Sequence, residues 1–169
     1  MTKQQKHWAD KHPVLSNRKR LVITAHNYAT PQEFWGALEN SGDMFWILDK
    51  TQADKSKITQ CLCEFVEEAV FEREFLRVDR IKDAVLAARR YAAYRCEENR
   101  QWARVACDDL WKICFEHTSY EARAAHAIVT LAVFDWNRAT AIAYAENLKT
   151  ITPQADIIRR WFPEAPFGE

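Results

Sequence analysis

Glycine and proline are scarce in this chain, with three Gly and five Pro among 169 residues. β-Sandwiches and barrels need turn residues at short intervals, whereas a helical bundle needs few of them. The sequence also lacks an apolar run of the roughly 18 residues that a membrane-spanning helix requires. No apolar segment follows the basic N-terminus, as it would in a secretory signal peptide. We therefore expect one all-α domain, located in the cytoplasm and not associated with a membrane.

Phosphate loops and metal sites are also missing from the sequence. The three glycines are too far apart to form a glycine-rich phosphate loop: Gly36, Gly42 and Gly168. The odd number of cysteines is typical of reduced thiols: Cys61, Cys63, Cys96, Cys107 and Cys114. Cys107 and Cys114 would lie two helical turns apart, about 10 Å along the axis, which is too far for one zinc ion or a disulfide. We expect no metal and no cofactor.

Charge is balanced overall but unevenly distributed. Residues 1–20 carry six basic residues and one acid, so the remaining chain carries a net charge of −5. This distribution predicts a basic, loosely ordered and flexible N-terminal arm over residues 1–29, followed by a helical domain over residues 30–169. The β-branched run 21–24 is expected to pack on the body in an extended conformation. The arm is either a solvated tail or a phosphate-contacting segment that uses Arg18, Lys19 and Arg20.

Helix boundaries are marked by capping residues. Thr30, Pro31 and Glu33 predict a helix start with a capping box, and Thr118 with Glu121 predicts a second one. Further helices are expected at 43–49, from about 54, from 79, over 99–116 and from 152, with a break at 74–78 and a kink at 135–137. The sum is a single-domain bundle of seven to eight mostly antiparallel helices, because the connections are short.

Apolar residues at helical spacing predict which face each long helix buries. The expected buried rows are Ile58, Leu62, Phe65 and Ala69 in one helix; Ile81, Val85, Ala88 and Ala92 in the next; and Trp102, Ala106, Leu110 and Ile113 in the third.

Catalytic groups are hard to assemble from this sequence. Cys114, His117 and His126 form the one grouping that resembles a nucleophile with a base. Cys114 lies near the C-terminal end of a predicted helix, where the helix dipole raises a thiol pKa. An enzyme of unrecognised type around Cys114 and His126 stays an alternative, although small core cysteines and a structural histidine explain these residues better.

Basic and aromatic residues cluster where one predicted helix ends and the next begins: Arg89, Arg90, Tyr91, Tyr94, Arg95 and Arg100. Tyr and Arg are enriched at binding hot spots, so this region could contact a protein partner. It could also stack on RNA bases and pair with phosphates. A third interpretation is structural, with half-buried tyrosines and with arginines paired to nearby glutamates.

Two stretches carry a resemblance. The segments 31–35 and 41–48, and above all Gly42-Asp43 up to Trp46, resemble the opening of a group of alanine-rich helical proteins that bacteria and phages encode, described as immunity proteins. The alanine-rich segments 124–127 and 139–144 and the segment 154–160 stand where that group has its later helices. The resemblance spans roughly residues 30–163. It implies a helical protein that binds another macromolecule, such as a toxin or a defence component.

Three hypotheses follow from these observations. The favoured one is a non-enzymatic interaction protein that binds a protein partner and exposes an aromatic patch without a polar pocket. The second is a nucleic-acid-associated protein that uses the arm and the 89–100 region. The third is the enzyme around Cys114 and His126, which requires a pocket where these groups converge.

Overall fold

The computed structural model describes residues 7–70, 78–116, 119–134 and 138–167. These ranges contain eleven helices and no strand, which confirms the all-α class. In chain order the helices are α1 (Trp8–Lys11), α2 (Pro13–Ser16), α3 (Lys19–Ala25), α4 (Pro31–Ala37), α5 (Ser41–Lys50), α6 (Lys55–Val70), α7 (Val78–Ala93), α8 (Glu97–Glu116), α9 (Tyr120–Phe134), α10 (Arg138–Glu146) and α11 (Gln154–Trp161).

Side-chain caps begin several of these helices. The Thr30 hydroxyl accepts from the Glu33 amide and Glu33 accepts from the Thr30 amide, which confirms the first capping box. Asn40 caps α5 through the Asp43 amide. At α9 the cap is Ser119, whose hydroxyl accepts from the Ala122 amide. Thr118 of the second predicted capping box lies outside the described residues. The predicted kink at 135–137 and most of the predicted break at 74–78 lie there too.

Four long helices, α6 to α9, form the centre of the molecule. α7 packs against α6, α8 and α9, while α6 also packs against α9. α6 and α7 are antiparallel, because Ser56 donates to the Ala92 carbonyl while Cys63 lies on the Val85 carbonyl. α7 and α8 are antiparallel as well, because Arg80 reaches Asp109 while Arg90 lies over Trp102. The rows predicted for α6 and α7 are buried as expected.

The row predicted for α8 is partly wrong. Trp102 is 37% exposed, and the buried face instead carries Asn99, Ala103, Cys107, Leu110 and Ile113. Two apolar rows lie side by side on this helix, and the fold buries the one with the smaller side chains. Small residues permit α8 to approach α7 and α9 closely.

The shorter helices α10 and α11 pack on α6, and α5 packs on both of them. The Phe45 ring of α5 packs on Phe65 with 5.8 Å between centroids. Trp161 of α11 donates its indole N–H to Glu64 Oε2 at 2.6 Å, and Arg160 reaches Glu64 and Glu68. These contacts hold the end of the described chain on the central helices.

The N-terminal segment is helical from Trp8 onward, and the expectation of a flexible arm is not confirmed for these residues. It forms α1, α2 and α3, and it buries Ala9, Leu15, Leu21 and Ala25. The Trp8 indole donates to the Tyr28 carbonyl at 2.9 Å, and a His12 ring nitrogen lies 2.7 Å from the Phe167 carbonyl. Residues 21–24 are helical and not extended, because the helix turns Leu21 and Ala25 to the same buried side. Residues 1–6 lie outside the described part.

Within the described ranges no helix combines the length and the apolar character that crossing a bilayer requires.

Candidate functional site

The predicted basic and aromatic cluster divides into an inward-facing half and an outward-facing half. Arg89 donates to Glu67 Oε2 of α6 at 2.7 Å, which ties two helices together. Arg100 lies 3.8 Å from Glu97, and Tyr91 packs against the core. These three residues fit the structural interpretation, in which arginines pair with nearby glutamates.

Arg90, Tyr94 and Arg95 point outward. Tyr94 is 73% exposed, and its backbone carbonyl accepts from the Asn99 side-chain amide at 2.8 Å. Arg95 is exposed. Arg90 lies over the Trp102 ring, 5.5 Å from its centroid. The cation–π contact brings α8 into the predicted site through a residue that the sequence pattern had assigned to the core.

Two contacts define the register of α7 against α8. Arg90 meets Trp102, and Arg80 meets Asp109 at 3.4 Å. Leu86 lies one helical turn from Arg90 on α7. On α8, Val105 lies one turn from Trp102 and one turn from Asp109. The side chains of Leu86 and Val105 therefore lie between the two contacts, on the same outer side of the helix pair. Leu86 and Val105 are each 51% exposed. We call the surface formed by Leu86, Arg90, Tyr94, Trp102 and Val105 the α7–α8 face.

The opposite edge of α8 also carries exposed aromatic side chains. Trp111 is 53% exposed and lies 5.2 Å from the His126 ring, and Arg104 lies over the Phe134 ring. Sequence reasoning missed Val105, Trp111 and Phe134 as surface residues. A helical wheel of α8 contains the signal, because Trp102, Val105 and Trp111 together span more than one buried stripe can cover.

The arginines predicted to contact phosphate are instead engaged with a buried carboxylate. Arg18 donates to Asp43 Oδ1 at 2.8 Å, and Arg20 donates to Oδ1 at 2.7 Å and to Oδ2 at 2.5 Å. Asp43 is only 5% exposed. Arg18 also lies over the Trp46 ring at 4.6 Å, whereas Lys19 is exposed. The Gly42-Asp43 to Trp46 element therefore fastens the N-terminal segment to α5.

The surroundings of Cys63 and Cys114 disfavour the thiolate. Burial raises the pKa of Cys114, and the charge of Arg123 offsets this only in part. Burial also raises the pKa of Cys63 to about 12. Burial lowers the pKa of His126, and the negative charge of Asp108 offsets this shift only in part. His117 lies outside the described residues. Among the described residues, no group of three His, Cys, Asp or Glu side chains is placed to hold a metal ion.

Two neighbouring cavities lie between α5 and the α9–α10 region. One has a volume of about 220 Å³ between α5 and α10, and the other, of about 530 Å³, lies beside the turn that follows α5. They share the Asp49–Arg138 ion pair, whose closest atoms are 3.0 Å apart. Among the described residues that line them, neither cavity has a cysteine or a histidine.

No family model, curated protein or solved structure matches this chain. The resemblance carried by residues 31–35 and 41–48 therefore stays an expectation, and the fold and the surface are interpreted from the chain's own residues.

Proposed function

We propose that this protein is a non-enzymatic interaction protein that binds a protein partner through the α7–α8 face. The observation that carries the proposal is the exposure of Leu86, Tyr94, Trp102 and Val105 side by side on two packed helices. Exposed apolar and aromatic side chains that form one continuous patch are typical of protein interfaces.

The chemistry of the face favours a partner protein over a nucleic acid. Leu86 and Val105 offer aliphatic surface without hydrogen-bonding groups, which suits a buried apolar contact. Arg90 is stacked on Trp102 and Arg95 is exposed at the rim, so a carboxylate on the partner would complement this edge. Phosphate binding needs several free cations, whereas Arg89, Arg100, Arg18 and Arg20 already contact carboxylates.

The finer assignment is that the protein acts as an immunity- or inhibitor-type protein of a bacterium or phage, in the cytoplasm. Its support is the resemblance of the Gly42-Asp43 to Trp46 element. In such a role the α7–α8 face would cover a functional surface of a toxin or a defence protein.

The test is affinity capture with Val105→Lys, which places a charge in the middle of the face. The matched control is Ile151→Lys, because Ile151 is an equally apolar side chain, 66% exposed, in the loop before α11. We expect the wild type and the control to retain one protein at a fixed stoichiometry, and Val105→Lys to lose it. Size-exclusion chromatography with light scattering would establish the stoichiometry of the complex.

Two results would contradict the proposal. In the first, Val105→Lys retains the same protein as the control, which would place the interface elsewhere. In the second, nucleic acid co-purifies in place of a protein and is released by salt. That result would favour the nucleic-acid alternative, and Lys19→Ala together with Arg95→Ala would then weaken retention.

A further inference from the structure

The cavity between α5 and α10 is an apolar cleft with a carboxylate at one end. Its walls are formed by the aromatic and aliphatic side chains of both helices: Phe45, Trp46, Ala139, Ile142 and Ala143. Gly42 and Glu146 lie at one end, and the Asp49–Arg138 ion pair lies at the other. Its volume of about 220 Å³ corresponds to about seven water molecules, so a short aliphatic chain fits inside.

Glu146 is the unusual group in this cleft. Its side chain is half-buried, and within the described residues its carboxylate has no hydrogen-bond or ion-pair partner. The Glu146 carboxylate approaches the backbone of α5 closely, and this approach depends on Gly42. A Cβ at that position would come within 2.9 Å of Glu146 Oε1. The fold therefore holds a carboxylate against apolar walls without a cation to neutralise it, an arrangement that costs free energy.

The charges around Glu146 increase this cost. Burial raises the pKa of Glu146, the negative charge of Asp43 raises it further, and Arg18 offsets part of the shift. Arg18 and Arg20 contact Asp43 directly, so their charge is already shared with another carboxylate. A cation entering the cleft would relieve the unfavourable position of Glu146.

We propose that the α5–α10 cleft binds a primary ammonium group on a short aliphatic stem, with Glu146 as the acceptor of the ammonium N–H groups. The stem lies along Trp46, Ile142 and Ala143, and the ammonium lies beside Gly42. An anionic ligand would meet the charge of Glu146, since the Asp43 carboxylate is already paired with Arg18 and Arg20. The ligand is either a free alkylamine or the side chain of a lysine in another protein, since both present the same chemistry.

Ligand binding can be followed by protein-observed NMR on the full chain. The signals to monitor are the Ile142 and Ala143 methyl groups and the Trp46 indole N–H. The probes are n-butylammonium, the neutral isostere n-butanol, and Nα-acetyl-lysine methylamide. We expect saturable shifts of these signals with n-butylammonium, and binding of n-butanol that is weaker by about tenfold or more. Tighter binding of the lysine derivative would assign a lysine side chain as the ligand, and tighter binding of n-butylammonium would assign a free amine.

The decisive variant is Glu146→Gln, which keeps the shape of the side chain and removes its charge. Its matched control is Glu39→Gln, a change at an exposed glutamate outside the cleft. We expect Glu146→Gln to weaken n-butylammonium binding by about tenfold and the control to leave it unchanged. A thermal unfolding curve for each variant verifies that the fold is intact. Gly42→Ala is a second variant, expected to displace the Glu146 carboxylate and also to weaken binding.

The pH dependence gives a readout that a purely structural Glu146 would not produce. The charged groups facing it are Asp43 on α5 and Arg18 from the N-terminal segment, with Asp49 and Arg138 at the far end. Only the ionised carboxylate binds an ammonium, so affinity should rise as pH increases from 4.5 through the raised pKa of Glu146, and this rise should be absent in Glu146→Gln. Equal affinity of n-butylammonium and n-butanol, or an unchanged affinity in Glu146→Gln, would overturn the proposal.

Discussion

The N-terminal segment 7–29 and the central helices α6 to α9 are both helical, yet they are held in place differently. The central helices bury continuous apolar rows, such as Ile58, Leu62 and Phe65 of α6. The N-terminal segment buries a few side chains and depends on single directional contacts, chiefly those of Arg18 and Arg20 with Asp43. Burial distributed over many side chains tolerates the loss of one contact better than a segment held by a few contacts does.

The outer surfaces of the two regions also differ. The outer side of α7 and α8 exposes the apolar residues Leu86 and Val105, each to about half of its surface. The N-terminal segment, by contrast, exposes mainly polar and charged residues, with Ile23 as an exception. The central helices therefore combine the stable core with the surface proposed to bind a partner, and substitutions in the two regions should separate these properties.

The largest expected effect is that of Phe65→Ala in α6. Phe65 is fully buried and packs on Phe45, so the truncation leaves a cavity at the centre of the molecule. We expect a loss of about 3–5 kcal/mol in the free energy of unfolding, measured by urea denaturation. Ile23→Ala is the control in the N-terminal segment, since Ile23 is exposed, and it should change stability by less than about 0.5 kcal/mol. A loss below about 1 kcal/mol for Phe65→Ala would contradict this account of the core.

Sequence patterns predicted the helices whose apolar residues recur at regular spacing. The rows of α6 and α7 recur at helical spacing with one apolar side each, so their buried faces could be read directly. α8 carries two apolar rows, and its packing against α7 and α9 determines which of them is buried. The sequence of α8 alone does not contain that information. Trp102 was assigned to the core for this reason.

The contacts of the N-terminal segment could not be predicted from periodicity. Arg18 and Arg20 meet Asp43 across more than 20 positions of the chain, and nothing local to any of the three residues indicates the pairing. Leu15, Leu21 and Ala25 are buried on helices of four and seven residues, which are too short to establish a periodic pattern. The candidate surface was predicted in part, through Arg90 and Tyr94, whereas Val105 depended on the orientation of α8.

The second largest effect is expected from Asp43→Asn, which removes the charge that Arg18 and Arg20 share. We expect a loss of about 1–3 kcal/mol, because a buried carboxylate that accepts three hydrogen bonds from two arginines is replaced by a neutral group. Hydrogen exchange should then increase across α1 to α3 while α6 and α7 stay protected. Asp49→Asn is the matched control, since Asp49 makes a more exposed ion pair with Arg138. Equal increases in exchange in α3 and α7 would contradict the separation of the two regions.

A smaller effect is expected from Glu67 and Glu68, which are adjacent on α6 but have pKa values shifted in opposite directions. Burial raises the pKa of Glu67 despite its contact with Arg89. Burial acts in the same sense on Glu68, but hydrogen bonds from Thr152 and Arg160 outweigh it and lower the pKa. The contribution of Glu68 to stability is therefore present above pH 4.5 and lost as pH falls through its lowered pKa. The contribution of Glu67 is largest below pH 4.5 and lost as pH rises through its raised pKa.

The measurement is urea denaturation of the wild type, Glu67→Gln and Glu68→Gln between pH 3 and pH 7. We expect differences below about 1 kcal/mol, because solvent screens both groups. The stability advantage of the wild type over Glu68→Gln should shrink as pH falls below 4.5, and its advantage over Glu67→Gln should shrink as pH rises above 4.5. Parallel curves for the two variants would contradict the assignment of opposite shifts.

The smallest expected effect on stability is that of Val105→Lys in the α7–α8 face. Val105 is half-exposed on a 20-residue helix, and lysine has the higher helix propensity. The new ammonium would lie one turn from Asp108 and Asp109, whose charges favour it. We therefore expect a change within about 0.5 kcal/mol of the wild type by urea denaturation, in either direction. Val85→Lys, a buried position of α7, should by contrast abolish folding. If Val105→Lys cost more than about 2 kcal/mol, Val105 would have to be covered in solution by another part of the chain or by a second copy, and the face would not be free to bind a partner.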